Sequence, residues 1–462
     1  MIIVSIQRKS DVSLNVTQGP ILVKMIRFAV PIFLSGVLQQ TFNTADSMVV
    51  GRFSGSNALA GISVTSSLIN LLVNFFMGLS AGASIAISQH TGAGDNEGVR
   101  RHAHNAVATS LLCGIAVAIL GNILCMPMLR LLDTPPEIIE YSEKYLRIYF
   151  AGVPAILFYN YGSAIMRTMG DTKRPIIYLG VGGVVNVMLN IIFVVGLGMD
   201  TDGVAIATVA SNVVSSAFVL FNLTRSSHAC RIDIRSIRIF KKEFGRIMSL
   251  GLPSGIQSAM FSISNLVMQS SINSFGSSFV AGNAAAANID HYNDYIGNAF
   301  VQAATTFSGQ NFGAGNYKRI KKIFIESILC VVSLSVVVSS IIIVFREPLA
   351  RMFINDNEYA IEVAGLRNIY VGGMYAICAM MGVSSANIRA IGKSVCAMMV
   401  TVIVVCFGRI LWIYTVFAQF PDNPHVLYMV YPISWIIATV INIIIFAYLY
   451  RKMASGKMKM GI

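Results

Sequence analysis

The amino-acid sequence predicts an all-α integral membrane protein with twelve transmembrane helices. Three observations predict this fold class: the chain is poor in charged residues, its apolar residues form a regular series of long stretches, and its second half repeats motifs of the first. Of the 462 residues, 55% are hydrophobic and only 12% are charged, whereas a soluble domain carries about 25% charged residues. We therefore expect most of the chain to lie in a lipid bilayer.

Twelve apolar stretches are long enough to span a membrane, since a transmembrane helix needs about 20 mainly apolar residues. The N-terminus has no signal-peptide pattern, so we expect the first stretch to remain as a span. Together the spans leave no room for a soluble domain of useful size. The predicted spans are residues 27–50, 58–88, 104–127, 144–165, 176–198, 204–223, 247–273, 279–308, 323–345, 365–387, 395–417 and 427–450.

The net charge of +13 is distributed unevenly between alternate loops. If the N-terminus is cytoplasmic, the cytoplasmic loops collect most of the 34 Lys and Arg residues, and the longest basic segment runs from Arg225 to Arg246. This positive-inside distribution predicts a multi-pass protein of the plasma (inner) membrane with both termini in the cytoplasm. It also argues against a nucleic-acid-binding surface. The charges that enter this assignment include Arg8, Lys9, Glu137, Glu140, Asp356 and Lys459.

Motifs of the first half recur in the second half in the same order. Pro31 matches Pro253, and residues 89–95 match residues 310–316. Each half holds six spans, so the halves have the same orientation and are related by a pseudo-twofold axis along the membrane normal, as in many transporters. The predicted organisation is a cytoplasmic segment at 1–26, six-helix bundles at 27–223 and 247–450, a basic cytoplasmic linker at 224–246 and a basic tail at 451–462.

Several motifs together resemble those of the multidrug and toxic compound extrusion (MATE) family along the whole chain. They are Pro31 followed by residues 46–51 (DSMVVG), the paired Gln-x-x-Gly-Ala-Gly turns at Gln89 and Gln310, residues 166–175 (MRTMGDTKRP), and Asn186-x-x-x-Asn190 leading to residues 203–208 (GVAIAT).

This resemblance implies a fold and a function. It implies two bundles that face a central cavity, and a secondary active multidrug exporter that exchanges small organic compounds, often amphipathic cations, for H⁺ or Na⁺. It implies no enzyme activity, no cofactor besides the coupling ion, and a monomer in the bilayer. No nucleotide is expected either, because Gly392-Lys393-Ser394 follows Asn387 where a phosphate-binding loop needs glycine.

The chain differs from the best-known branch of the family, which has a glutamate in the seventh span and an aspartate in the tenth. The matching stretches at residues 257–262 and 375–380 contain no acidic residue. The resemblance is closer to the branch whose coupling acid lies in the first span, so we expect the N-terminal bundle to couple.

Asp46 is the strongest candidate for the coupling acid, because an ionisable side chain inside a span is costly and is usually functional. The alternative is that Asp46 lies at headgroup level with Arg52 and only anchors the helix end. Asn186 and Asn190 share one face of the fifth span, and the resemblance places them and Thr208 beside Asp46 as a cation-coupling site. Carboxylate, amide and hydroxyl oxygens suit Na⁺, and the same group suits H⁺. The asparagines could instead only join helices.

Six further polar residues are candidates for the substrate cavity. Asp290 and Asp294 are spaced i, i+4 and can face one cavity, where acids would suit a cationic compound. The alternative is structural pairing of these acids, for instance with Arg409. His291 could relay protons, although a lone histidine is more often structural. The remaining cavity candidates are Gln39, Gln40 and Asn160.

The main alternative function is a flippase of the same superfamily, for lipid-linked oligosaccharides or other amphipathic molecules. Such a protein needs a basic cavity for a pyrophosphate, and the span interiors carry Asp46, Asp290 and Asp294 against Arg409. This balance favours export of neutral or cationic compounds. A membrane enzyme is not expected, because no hydrolase or metalloprotease motif is present.

Overall fold

The computed structural model describes residues 15–354 and 357–457, with the backbone alone at Ser56 and Ser67. Arg8, Lys9, Asp356 and Lys459, which enter the charge assignment, lie outside these residues, as do most of the predicted segment 1–26 and the end of the tail. Every regular element of the described residues is helical.

The first half of the chain forms six long helices. Residues 191–196 continue the fifth of them as a π-helical turn. The helices are α1 (Ile21–Phe53), α2 (Gly55–Ala93), α3 (Asn96–Leu131), α4 (Pro136–Thr168), α5 (Lys173–Asn190) and α6 (Thr201–Arg225).

The second half repeats this series, with two interrupted segments. Residues 368–372 and 401–407 are π-helical and join shorter α-helices into single long segments. The helices are α7 (Lys241–Asn273), α8 (Ser277–Gly313), α9 (Tyr317–Val344), α10 (Arg346–Arg351), α11 (Glu358–Arg367), α12 (Tyr375–Ala390), α13 (Ser394–Val400), α14 (Gly408–Thr415) and α15 (Pro424–Ala454).

Each of the twelve predicted spans coincides with a helical segment of the described residues. Ten of these segments are long and apolar enough to cross a membrane by composition alone. The other two, α7 and α8, have 33 and 37 residues but carry more polar side chains. The predicted all-helical membrane fold is confirmed.

The helix α3 extends beyond its predicted apolar stretch because a cap, rather than hydropathy, sets its start. The helix α3 begins at Asn96 and not at residue 104, since the Asp95 carboxylate accepts a hydrogen bond of 2.9 Å from the Gly98 N–H. The same N–H lowers the pKa of the Asp95 carboxyl.

Glycines at matching positions of the two halves end matching helices. Gly94 and Gly315 both have φ of 71°, and Gly170 and Gly392 both have φ of 86°. These angles lie in the left-handed region that glycine adopts without a steric penalty. The repeated motifs therefore correspond to repeated turns.

The described chain divides into two compact units. The first comprises Asn15 and residues 34–251, and the second comprises residues 16–33 and the described part of 252–462. The start of α1 thus packs with the second unit, while its end, which carries Asp46, belongs to the first.

The basic linker is not purely polar. Cys230 and Ile232 are buried in the core of the first unit. The Asn105 side chain donates a hydrogen bond of 2.7 Å to the Phe240 carbonyl. These contacts hold the linker against the first unit.

Candidate functional site

Asp46 lies near the end of α1 and is held by an asparagine of α5. Its Oδ1 accepts a hydrogen bond of 2.5 Å from Nδ2 of Asn190. Asp46 is half-buried, whereas Asn190 is completely buried. A carboxylate in a membrane interior is costly unless a polar group compensates it, and the Asn190 amide provides that compensation.

The two asparagines of α5 extend this contact to α6. Nδ2 of Asn190 lies 3.4 Å from Oδ1 of Asn186. Nδ2 of Asn186 in turn lies 3.5 Å from Oγ1 of Thr208. The structure therefore brings together all four residues that the sequence placed at the cation-coupling site.

Oxygen atoms dominate this cluster. Oδ1 of Asn190 is buried and has no hydrogen-bond partner among the described residues. It can therefore accept a hydrogen bond or coordinate a hard cation. Among the described residues, no group of three His, Cys, Asp or Glu side chains is placed to hold a metal ion, so a cation at Asp46 would depend on one carboxylate and neutral oxygens.

Two adjacent glycines allow α5 to approach its neighbours. A Cβ at Gly183 would overlap the ring of Phe42 on α1, and a Cβ at Gly182 would overlap the hydroxyl of Ser215 on α6. Any larger residue would separate these helices. The asparagines lie one and two turns farther along α5, where α1 and α6 are consequently close.

The predicted cavity residues of the first unit lie elsewhere. Gln39 is exposed and Gln40 is half-buried, both on α1 before Asp46. Asn160 is half-buried on α4. Their role in binding substrate stays a prediction.

Asp290 forms an ion pair, but not with the arginine that the sequence indicated. Its Oδ2 accepts from Nη1 of Arg367 at 2.5 Å, and the side chains of Asp290 and Arg367 are 6% and 11% exposed. The pairing with Arg409 was wrong because Arg367, at the end of α11, is directed toward α8. Oδ1 of Asp290 has no hydrogen-bond partner among the described residues.

Asp294 is in a different environment from Asp290. Its side chain is 58% exposed, and the Tyr375 hydroxyl donates a hydrogen bond to it. Nδ1 of His291 lies 3.8 Å from Oδ2 of Asp294. The two acids that share one helix face therefore differ: Asp290 is buried in an ion pair with Arg367, whereas Asp294 has an accessible carboxylate.

Two partners of these acids were not predicted from the sequence. Arg367 and Tyr375 both lie within the tenth predicted span. An arginine inside a predicted span was the available signal. The charge balance of the second unit therefore includes Arg367 besides Arg409.

Comparisons with known proteins agree with this architecture. The MatE family model matches the chain twice, at residues 31–192 and 253–415. The two matches begin at Pro31 and Pro253, which confirms the internal repeat.

Two relatives come from Bacillus subtilis (strain 168). One is named "Probable multidrug resistance protein YoeA" and is 28% identical over 375 residues, covering 80% of this chain and 81% of that protein. The other is named "Probable multidrug resistance protein YpnP" and is 30% identical over 307 residues, covering 66% and 68%.

A solved structure has the same fold. The outward-facing conformation of a multidrug resistance MATE family transporter superposes with a TM-score of 0.90 and 21% identity, over 96% of this chain and 99% of that one. Because the family model matches most of the chain in two consecutive copies, the chain belongs to the MatE family and is a small-molecule transporter of the membrane rather than an enzyme.

Proposed function

We propose that this protein exports small amphipathic organic compounds, often cationic, in exchange for H⁺ or Na⁺, and that Asp46 binds the coupling ion. The observation that carries this proposal is the hydrogen-bonded chain from Asp46 through Asn190 and Asn186 to Thr208. The names of the two Bacillus relatives support drug export.

The cluster can bind either H⁺ or Na⁺, because the Asn190 amide can either donate or accept a hydrogen bond. With an ionised Asp46, the Asn190 Nδ2 donates to the carboxylate. A protonated Asp46 would need a hydrogen-bond acceptor. Rotation of the Asn190 amide would place its Oδ1 in that position. A sodium ion would use the Asp46 carboxylate together with Oδ1 of Asn190 and the Thr208 hydroxyl, since hard cations take oxygen ligands.

Transport follows from opposed preferences of ion and substrate for the two access states. An external cation loads Asp46 in the outward-facing state and favours release of the substrate. Return to the inward-facing state discharges the cation and admits new substrate. Each ligand shifts the equilibrium only by its differential affinity for the two states.

Asp294 supports the cationic substrate class. Its carboxylate is accessible and belongs to a unit in which the other acid of the same helix face is neutralised by Arg367. An exposed acid in a transmembrane helix attracts an organic cation. His291 lies beside it, and the proposed cavity includes both.

The proposed setting is the plasma (inner) membrane, with both termini cytoplasmic and the protein acting as a monomer without nucleotide. Exposed basic residues of the linker, among them Arg231 and Arg235, support this orientation.

The test is reconstitution into liposomes with a fluorescent cationic dye. We expect efflux of the dye under either an imposed pH gradient or an imposed Na⁺ gradient, and the effective gradient identifies the ion. An ionophore that collapses that gradient should stop efflux. Absence of gradient-driven efflux for a panel of cationic dyes would contradict the proposal and favour a flippase, for which lipid-linked oligosaccharides are the substrates to assay.

A further inference from the structure

Arg409 is a completely buried cation that has no acidic partner among the described residues. Arg409 is the largest of the fully buried side chains among the described residues. None of the ion pairs among those residues includes Arg409. The buried acid of the same unit, Asp290, is taken by Arg367. An unpaired charge in a protein interior within a membrane is energetically costly, so its retention needs a reason.

Three aromatic rings surround the guanidinium carbon of Arg409. The ring centroids of Tyr431, Phe261 and Trp435 lie 4.4, 5.3 and 5.9 Å away. Cation–π attraction stabilises the charge but leaves the N–H groups free to bind an acceptor. The rings also provide an apolar wall beside the cation.

The N–H groups of Arg409 are used unequally. Nη1 donates a hydrogen bond of 3.1 Å to Oδ1 of Asn265. Nε and Nη2 are buried and have no hydrogen-bond partner among the described residues. These two nitrogens form one edge of the planar guanidinium, and this edge can bind a carboxylate with two parallel hydrogen bonds.

The Arg409 guanidinium is hydrogen-bonded to an exposed side chain of the second unit. Arg409 follows the π-helical segment 401–407, and such segments often occur at functional sites. Asn265, which holds Nη1, is itself exposed on α7. The guanidinium therefore lies one hydrogen bond beneath an accessible amide.

The same unit also carries an exposed acid. The Asp294 side chain on α8 is 58% exposed. The second unit thus presents an accessible carboxylate and, at a separate position, a guanidinium with an unoccupied bidentate edge.

We propose that the Nε–Nη2 edge of Arg409 binds the carboxylate of an exported compound, so that the substrates include amphipathic carboxylates and zwitterions. This inference rests on the proposed export of small organic compounds. The aromatic rings bind the apolar body of the compound, and Asp294 binds an amine where one is present. Asn265 positions the guanidinium.

The test uses two dyes that differ in one group. Rhodamine 110 carries a free carboxylate, and rhodamine 123 is its methyl ester. Binding to the full-length protein in lipid nanodiscs is followed by fluorescence anisotropy. We expect Arg409→Gln to weaken binding of the acid at least tenfold and to change binding of the ester less than twofold.

Two further variants separate charge from geometry. Arg409→Lys keeps the positive charge but has no planar edge, so most of the preference for the acid should be lost. Arg389→Gln removes another arginine of the same unit, which is half-buried and donates from Nη1 to Oε1 of Gln257 at 3.1 Å, and should leave the acid-to-ester ratio unchanged. If Arg409→Gln does not fold, Asn265→Ala replaces it and should weaken the acid selectively.

Equal effects of Arg409→Gln on both dyes, or no effect on the acid, would overturn the inference. Failure of the wild type to bind the acid better than the ester would overturn it as well. The assay needs no ion gradient, so acid-selective binding without gradient-driven transport would count against the proposed antiport alone.

Discussion

The hydrogen bond between Asp46 and Asn190 is the contact on which the proposed coupling site depends. It joins α1 to α5, and its length of 2.5 Å makes it the shortest link of the cluster. Hydrogen bonds to charged groups contribute about 1.5–3 kcal/mol. The affinity of Asp46 for the proposed coupling ion should therefore change strongly on loss of the Asn190 amide.

Replacement of Asn190 by leucine should shift the coupling-ion concentration for half-maximal transport about tenfold, since that factor corresponds to about 1.4 kcal/mol. The direction distinguishes the ions. Sodium loses an oxygen ligand and should bind more weakly, whereas a proton should bind more tightly once the donor to the carboxylate is gone. The measurement is dye efflux from proteoliposomes against Na⁺ concentration and pH.

Asn186→Leu is the matched control, because the Asn186 side chain makes only contacts of 3.4 and 3.5 Å. Its shift should be smaller. If wild type and Asn190→Leu show the same dependence of dye efflux on Na⁺ concentration and pH, Asn190 is not part of the coupling site.

Residue roles were only partly predictable from the sequence. The spacing of Asn186 and Asn190 placed both on one face, and the family motifs placed them beside Asp46. The Asp290–Arg367 pair was not predicted, because residue 290 and residue 367 are joined only by the packing of α8 against α11, which no local pattern encodes. The free edge of Arg409 likewise depends on where Asn265 directs Nη1.

Helix packing in each unit depends on a few close approaches. In the first unit, α2 and α7 meet at Gly82 and Gly251. A Cβ at Gly82 would collide with the backbone of Gly251 and with the Ile247 carbonyl. Small residues allow such contacts between membrane helices.

The variant Gly82→Ala should lower thermal stability, since the colliding atoms belong to backbone and cannot rotate away; overpacking costs about 1–3 kcal/mol. Gly245→Ala is the control within α7. A Cβ there meets nothing within 4 Å, so the higher helix propensity of alanine should stabilise the protein by up to about 1 kcal/mol. Opposite shifts of the unfolding temperature are expected, and shifts of the same sign would contradict this packing.

The Asp290–Arg367 pair joins α8 to α11 inside the second unit. Removal of one partner leaves a buried charge, so Arg367→Met should destabilise the protein by about 3–5 kcal/mol. The double variant Asp290→Asn with Arg367→Met should recover much of that loss. Thermal unfolding of the single and double variants measures both effects.

Arg351→Met provides the exposed counterpart of this experiment. Arg351 pairs with Glu358 at 2.8 Å, but the side chains are 49% and 74% exposed. The loss should stay below about 1 kcal/mol. A cost for Arg367→Met as small as that would show that Asp290 is not charged and buried.

Elements were more predictable than contacts. Hydropathy located all twelve helical segments, because each must present an apolar surface to lipid. It placed the start of α4 at residue 144 rather than at Pro136, since the first turns of this helix carry Glu137 and Glu140. It gave no sign of the π-helical segments that precede Arg409 and follow Asn190, because their apolar sequences do not differ from those of α-helical spans.

At the scale of the whole molecule, the charge distribution predicts a fixed topology. A cysteine introduced for Arg235 in the exposed linker should react with a membrane-impermeant maleimide only after cells are permeabilised. A cysteine introduced for Glu140 should react in intact cells. Reaction of the linker cysteine in intact cells would reverse the assigned orientation.

Native cysteines that react with the maleimide would add background labelling to this measurement. Burial raises the pKa of the Cys230 thiol in the linker to about 11. Near neutral pH this thiol is almost entirely protonated, and only the thiolate reacts. Cys396 is exposed and should be replaced by serine before labelling.

The proposed antiport depends above all on the Asp46 carboxylate, and a neutral variant of the same size isolates its role. Asp46→Asn keeps the size of the side chain and its polar contact with Asn190 but cannot bind a coupling ion as a carboxylate does. We predict that proteoliposomes with Asp46→Asn lose gradient-driven dye efflux by at least tenfold while dye still exchanges in the absence of a gradient. Efflux by Asp46→Asn that still follows the ion gradient at the wild-type rate would exclude Asp46 as the binding site of the coupling ion.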